Sequence, residues 1–150
     1  MKSIVYTIKF DDLGLIAKNI VETLSVVRKN TASVIFLRGE LGAGKTTFAQ
    51  EIARILGVED RVISPTFILK KEYKTRHPYF RKLIHIDAYR FNDTREARVL
   101  RIEDDIKEGD NLILIEWPEK VPNVESDIVV SFETVDEETR DVTITYENQL

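Results

Sequence analysis

The chain contains no cysteine, which excludes disulfides, thiolate nucleophiles and Cys-built zinc sites. Histidine is almost as scarce: only His77 and His85 occur, and they are not at metal-ligand spacing. No apolar stretch approaches the roughly 20 residues a membrane helix needs. The N-terminus, MKSIVYTIKF, alternates instead of forming the apolar block of a signal peptide, so a cytoplasmic location with no membrane partner is expected. Positive charge is not in excess either. Lys and Arg number 22 against 26 Asp and Glu, and the net charge of −4 does not make the whole chain an electrostatic trap for nucleic acid. Internal repeats, low-complexity tracts and linkers are also missing.

What remains describes a globular chain. Its 150 residues are 43% apolar and 32% charged, enough to bury a core without a staple, and a single domain over 1–150 is expected. Ile4, Tyr6, Ile8 and Phe10 alternate with polar neighbours, as in a strand. Asp11 and Asp12 offer helix-capping chemistry before Leu13, Ile16, Ala17, Ile20, Leu24 and Val27, which recur at helical spacing. Val34–Leu37 and Leu112–Trp117 are unbroken apolar runs, the pattern of strands buried on both faces of a parallel sheet. Phe48, Ala49, Ile52, Ala53 and Leu56 mark a helix face that Gly57 closes. Further strands are expected at Phe67–Lys70 and Lys82–Asp87, with a polar, basic loop over Lys74–Lys82 between them. A charged helix is expected over Asp93–Ile106. Ile128–Phe132 and Val142–Tyr146 flank an acidic turn and predict a terminal antiparallel hairpin. Together these elements predict an α/β domain with a mixed sheet.

The segment Gly39-Glu-Leu-Gly-Ala-Gly44-Lys45-Thr46 fits G-x-x-x-x-G-K-[ST] between a buried strand and a helix, the context a P-loop (Walker A) requires. A chance match in a chain of this length is on the order of half a percent. Glycines let the backbone N–H groups of Gly39, Leu41, Gly42, Ala43 and Gly44 curl around phosphate oxygens, and the helix N-terminus adds partial positive charge. Lys45 reaches the β- and γ-phosphates, the Thr46 hydroxyl ligates Mg²⁺, and Thr47 is placed to touch the α-phosphate. The alternative dinucleotide fingerprint fails, because position 47 is threonine where glycine or alanine is needed. Such a site also needs a carboxylate at a neighbouring strand end. Two apolar strands end in one, at Asp87 and at Glu116, and spacing alone does not decide which holds the metal and which orients water. Ser64-Pro65-Thr66 is a short turn where a threonine can close over a γ-phosphate.

These residues resemble one family. Gly39–Thr47, Ser64-Pro65-Thr66-Phe67, His85-Ile-Asp87-Ala-Tyr89-Arg90 and Glu116-Trp117-Pro118-Glu119 are similar, in order and spacing, to the motifs of the TsaE (YjeE) family, the ATPase component of tRNA threonylcarbamoyladenosine biosynthesis. The resemblance runs from the N-terminus to about Pro122, and the C-terminal hairpin is similar in pattern only. It implies a P-loop NTPase fold whose central parallel strands are flanked by antiparallel ones, with ATP and Mg²⁺ as cofactors. By that resemblance Thr46 and Glu116 bind the metal, Asp87 orders the hydrolytic water, and Thr66 with the His85–Arg90 segment senses the nucleotide. Trp117 packs near the nucleotide or in the core. The implied partner is the TsaB–TsaD pair, which modifies adenosine 37 of tRNA, with tRNA itself an indirect partner.

Lys70, Lys71, Lys74, Arg76, Arg81 and Lys82 interleave with Tyr73, Tyr79 and Phe80, a composition that can hold single-stranded RNA. The plainer reading, a solvated loop with its aromatics tucked onto the core, is preferred. A small-metabolite kinase and a nucleotide-binding module without turnover are the alternative functions. The first lacks an evident acceptor site, and Asp87 and Glu116 argue against the second. A GTPase is disfavoured because no Asn-Lys-x-Asp motif occurs.

Overall fold

A computed structural model describes residues 2–27, 29–40, 42–62, 69–92 and 95–147. The strands are β1 (Lys2–Lys9), β2 (Ser33–Gly39), β3 (Lys70–Lys74), β4 (Lys82–Asp87), β5 (Asn111–Glu116), β6 (Ile128–Thr134) and β7 (Thr139–Tyr146). The helices are α1 (Leu13–Val27), α2 (Lys45–Ile55) and the short α3 (Ile102–Ile106). All strands join one seven-stranded sheet in the order β1-β7-β6-β2-β5-β4-β3. The central β6, β2, β5 and β4 run parallel, while β7 and β1 on one flank and β3 on the other are antiparallel. This is the mixed sheet expected, with the hairpin β6–β7 joined to it through both of its strands.

Alternation builds the two faces. Ile35, Leu37, Leu83, Leu112 and Leu114 point to one side, where they pack with Ile16, Ile20 and Leu24 of α1 and Phe48 and Ile52 of α2. Their neighbours Val34, Ile84, Ile86, Ile113 and Ile115 point to the other, under Phe91, Ile102 and Val121. Burial on both faces explains why β2 and β5 read as apolar runs. Helix α2 ends as Gly57 predicts: at φ 75° its N–H donates to Arg54 O at 3.1 Å, and Val58 N–H donates to Ala53 O at 2.9 Å. These are the two bonds of a Schellman motif.

Two expectations are corrected. The charged helix over Asp93–Ile106 does not form. Apart from positions 93 and 94, which lie outside the described residues, the segment is a 3₁₀ stretch, Glu96–Leu100, a left-handed residue, Arg101 (φ 53°), and the five-residue α3. Val99 is 82% exposed and Ile102 is buried, so the segment has no continuous apolar stripe to hold one long helix against the core. Of the strand expected at Phe67–Lys70, positions 67 and 68 lie outside the described residues and Leu69 is left-handed (φ 71°), which keeps it out of the strand. Strand β3 begins at Lys70 and takes in Lys71, Tyr73 and Lys74. An edge strand needs to bury little, and in β3 only Tyr73 is buried, so its sequence carries no apolar alternation to mark it.

Candidate nucleotide-binding site

The phosphate loop links the carboxyl end of β2 to the amino end of α2. Gly39 (φ 148°) and Gly44 (φ 121°) hold backbone conformations that L side chains rarely adopt. At Gly39 a Cβ would also lie 2.9 Å from Phe132 O of β6, so two strands close on the loop there. The turn is drawn in by Ala43 N–H donating to Glu40 O at 3.1 Å, and α2 starts with Phe48 N–H donating to Gly44 O at 2.8 Å. Lys45 is only 5% exposed, and its Nζ folds back to donate to Gly39 O at 2.5 Å. The ammonium is thus held at the loop, at the N-terminus of α2, where anions are favoured. Thr46 and Thr47 are half-buried in the first turn of α2. Leu41 and the Ser64-Pro65-Thr66 turn, with the expected roles of Leu41 and Thr66, lie outside the described residues.

The acidic strand ends converge on this loop. Asp87 and Glu116 are register partners at the tips of β4 and β5, and Glu116 is also paired with Leu37 of β2. Glu116 therefore stands beside the P-loop strand, and Asp87 stands one strand further out. Glu116 is buried. Its Oε1 lies 3.9 Å from Lys45 Nζ, a coulombic contact, and its Oε2 is 2.7 Å from His85 Nε2. His85 is fully buried, and its Nδ1 has no hydrogen-bond partner among the described residues. With Glu116 ionised, the bond places the proton on Nε2. Asp87 is buried as well and accepts Tyr89 N–H at 2.9 Å. No cluster of three or more His, Asp or Glu side chains among the described residues makes an all-protein metal cage. A P-loop Mg²⁺ needs none, because nucleotide phosphates, waters and one hydroxyl fill most of its octahedron. Thr46 and the buried carboxylate of Glu116 suit that donor set.

Trp117 follows Glu116 in a left-handed conformation (φ 57°), with its ring 4.9 Å from Lys45 Nζ and 5.1 Å from the Tyr89 ring. Lys120 ties the pair together, donating to Tyr89 O at 2.5 Å. Two clefts, of about 590 and 350 Å³, share Arg38, Gly39 and Trp117 in their walls, and Lys45 lines the smaller. Trp117 is half-buried, with one part of the ring beside Lys45 and another packed against the core under β5.

The basic segment has a different character. Tyr73 and Phe80 are buried, Lys70 pairs with Asp105, Lys82 with Glu72 and Arg76 with Glu59. Those two rings are therefore not available to stack on bases, as the plainer reading anticipates.

Two features escape the motif reading. One is the His85–Glu116 pairing, which the strand register creates. The other is Arg140 of β7, 7% exposed, whose Nε–H donates to Ala43 O of the phosphate loop at 3.1 Å. The signal for it is in the sequence: Arg140 is in phase with Val142 and Ile144, so an arginine falls on the buried face of a strand.

The fold and this loop prompt comparison with known proteins. The family model described as threonylcarbamoyl adenosine biosynthesis protein TsaE matches residues 11–143. The chain belongs to the TsaE family. Its similarity to the tRNA threonylcarbamoyladenosine biosynthesis protein TsaE of Aquifex aeolicus is 40% identity over 115 residues, 75% of this chain and 77% of that one. For the protein of the same description from Haemophilus influenzae it is 34% over 122 residues, 80% and 75% of the two chains. The crystal structure of Bacillus subtilis YdiB superposes with a TM-score of 0.67 at 26% identity, covering 98% of this chain and 87% of the other. The chain has the P-loop NTPase fold. The TsaE match runs well past Pro122, where the motif resemblance fades, and takes in β6 and Arg140. No helix among the described residues is long and apolar enough to cross a membrane.

Proposed function

We propose that the protein is a Mg²⁺-dependent ATPase that binds ATP through Gly39–Thr46 and assists the TsaB–TsaD pair in forming threonylcarbamoyladenosine at position 37 of tRNA, in the cytoplasm. The observation that carries this reading is the buried line Lys45–Glu116–His85 at the mouth of the loop. It supplies a cation for the β/γ-phosphates and a fixed carboxylate for the metal. The bound metal supplies charge neutralisation at the phosphates when present. The chain's own residues do the rest. The loop N–H groups and Lys45 orient the phosphates, Thr46 and Glu116 hold the metal, and Asp87 accepts a hydrogen bond from the attacking water. Trp117 and Tyr89 cover the open side of Lys45 and limit the access of bulk water. The motifs supply no evident arginine finger, Arg90 being their one candidate, so slow turnover by the isolated chain is expected.

Phosphate release from Mg-ATP, measured alone and with the TsaB–TsaD pair from the same source, tests the reading. A low basal rate that rises with the pair is expected. A rate indifferent to the pair, together with phosphate transfer to a small metabolite, would replace the reading with a kinase.

A further inference from the structure

Arg140 is a buried cation whose hydrogen-bond partners are all carbonyl oxygens. Besides Ala43 O, its Nη2 donates to Gly42 O at 3.4 Å, and its Nη1 to Asp136 O at 2.7 Å and Thr139 O at 3.0 Å. Its guanidinium carbon stands 4.9 Å over the Phe10 ring. Among the described residues no carboxylate lies within ion-pair distance of it. Asp136, the nearest acid in its turn, spends its carboxylate on the N–H groups of Glu138 and Thr139. The Asp136 carboxylate attracts Arg140 only at longer range, so the hydrogen bonds of the guanidinium are committed to the backbone of the loop and the turn.

The geometry points to Arg140 as a positioning residue of the phosphate loop, holding the Ala43 carbonyl outward so that the Gly44 N–H that follows it faces the phosphates. The reason is the planarity of the trans peptide. C=O and N–H point in opposite directions, so fixing the Ala43 carbonyl on Arg140 fixes the Gly44 N–H on the far side. No cis peptide interrupts this relation. Glycines give the loop freedom to curl around an anion, and the same freedom lets its peptides flip. A rigid guanidinium fork spanning the loop and the β6–β7 turn suppresses the flip in a way a lysine cannot. Phosphate affinity then depends on the C-terminal hairpin, from a residue 97 positions away in sequence.

This inference rests on the reading that Gly39–Thr46 binds a nucleoside triphosphate, and the test separates the two. Equilibrium binding of Mg-ATP and of Mg-tripolyphosphate is measured on the whole chain as wild type, Arg140→Met, Arg140→Lys and Lys45→Ala, at a temperature where circular dichroism shows each fully folded. Arg140→Met is expected to weaken both ligands about tenfold or more and by the same factor, the size of a lost charged hydrogen bond at a buried site. Arg140→Lys, which keeps the charge but not the fork, is expected to recover part of the loss. A merely structural role would lower the melting temperature without moving either dissociation constant, and that result overturns the proposal. So does a loss confined to ATP, which would put Arg140 at the base, and so does failure of both Arg140 variants to fold. If the wild type binds no Mg-ATP, or Lys45→Ala binds as well as wild type, the nucleotide reading itself falls.

Discussion

On the β4–β5 side of the phosphate loop, charges meet charges: Lys45 faces Glu116, and Glu116 is bonded to His85. On the β7 side, a cation gives its hydrogen bonds to carbonyl oxygens and lies over an aromatic face. The first side can respond to the nucleotide, because each of its groups can exchange a protein partner for a phosphate, a metal or a water. The second side is committed to the backbone and can only hold a shape. The comparison separates groups expected to act on reacting atoms from a group expected to act on the loop that binds them.

Substitutions can break this division, and the largest effect is expected at Asp87. Asp87→Asn keeps an oxygen for Tyr89 N–H but removes the charge, so ATP binding should stay within a few-fold while single-turnover hydrolysis falls about a hundredfold or more. Normal turnover in that variant would move the role to Glu116. Lys45→Ala comes next. It deletes a charge-assisted bond to phosphate, and titration calorimetry should show Mg-ATP affinity reduced by about a hundredfold.

His85 sharpens the comparison through stability. His85→Leu leaves a buried carboxylate oxygen of Glu116 without its partner, and urea denaturation should show a loss of about 2 kcal/mol. An unchanged midpoint would mean that water or Lys45 takes over the bond. The smallest effect belongs to the turn that Arg140 grips. Bonds from the N–H groups of Glu138 and Thr139 hold the Asp136 carboxyl below its ordinary value of 3.8, with the backbone of Glu138 the leading cause. Because the folded value is the lower one, this contribution is fully present above 3.8 and fades as pH falls through the folded value. Asp136→Asn should therefore narrow the stability difference between pH 7 and pH 3 slightly, and an identical difference would show the turn to be indifferent to the charge.

Most of the β4–β5 side could be read from the sequence because its information is local. The P-loop motif, the run Val34–Leu37 before it and the apolar strands ending in Asp87 and Glu116 each lie within a few consecutive residues. What the sequence could not convey is adjacency. The His85–Glu116 bond exists because β4 and β5 pair in parallel with Asp87 opposite Glu116, and Arg140 reaches Ala43 because β6 lies against β2. Neither pairing follows from composition or period. The Asp93–Ile106 segment failed for the opposite reason. Its local propensity suits a helix, but it offers no continuous buried face, and packing, not propensity, decides helices of that length.

The place of β2 in the sheet also bears on how the protein comes to exist. Its neighbours are β5 and β6, which follow it by some 70 or more residues, whereas nothing made earlier pairs with it. Contacts of such long sequence separation form slowly and late. During synthesis the phosphate loop emerges well before the strands that flank it, and the arginine that grips it follows 97 residues after Ala43. Nucleotide binding by a growing chain should therefore begin only once β5, β6 and β7 have emerged, so a nascent-chain series captured on immobilised ATP would report the closing of the sheet rather than the appearance of the motif.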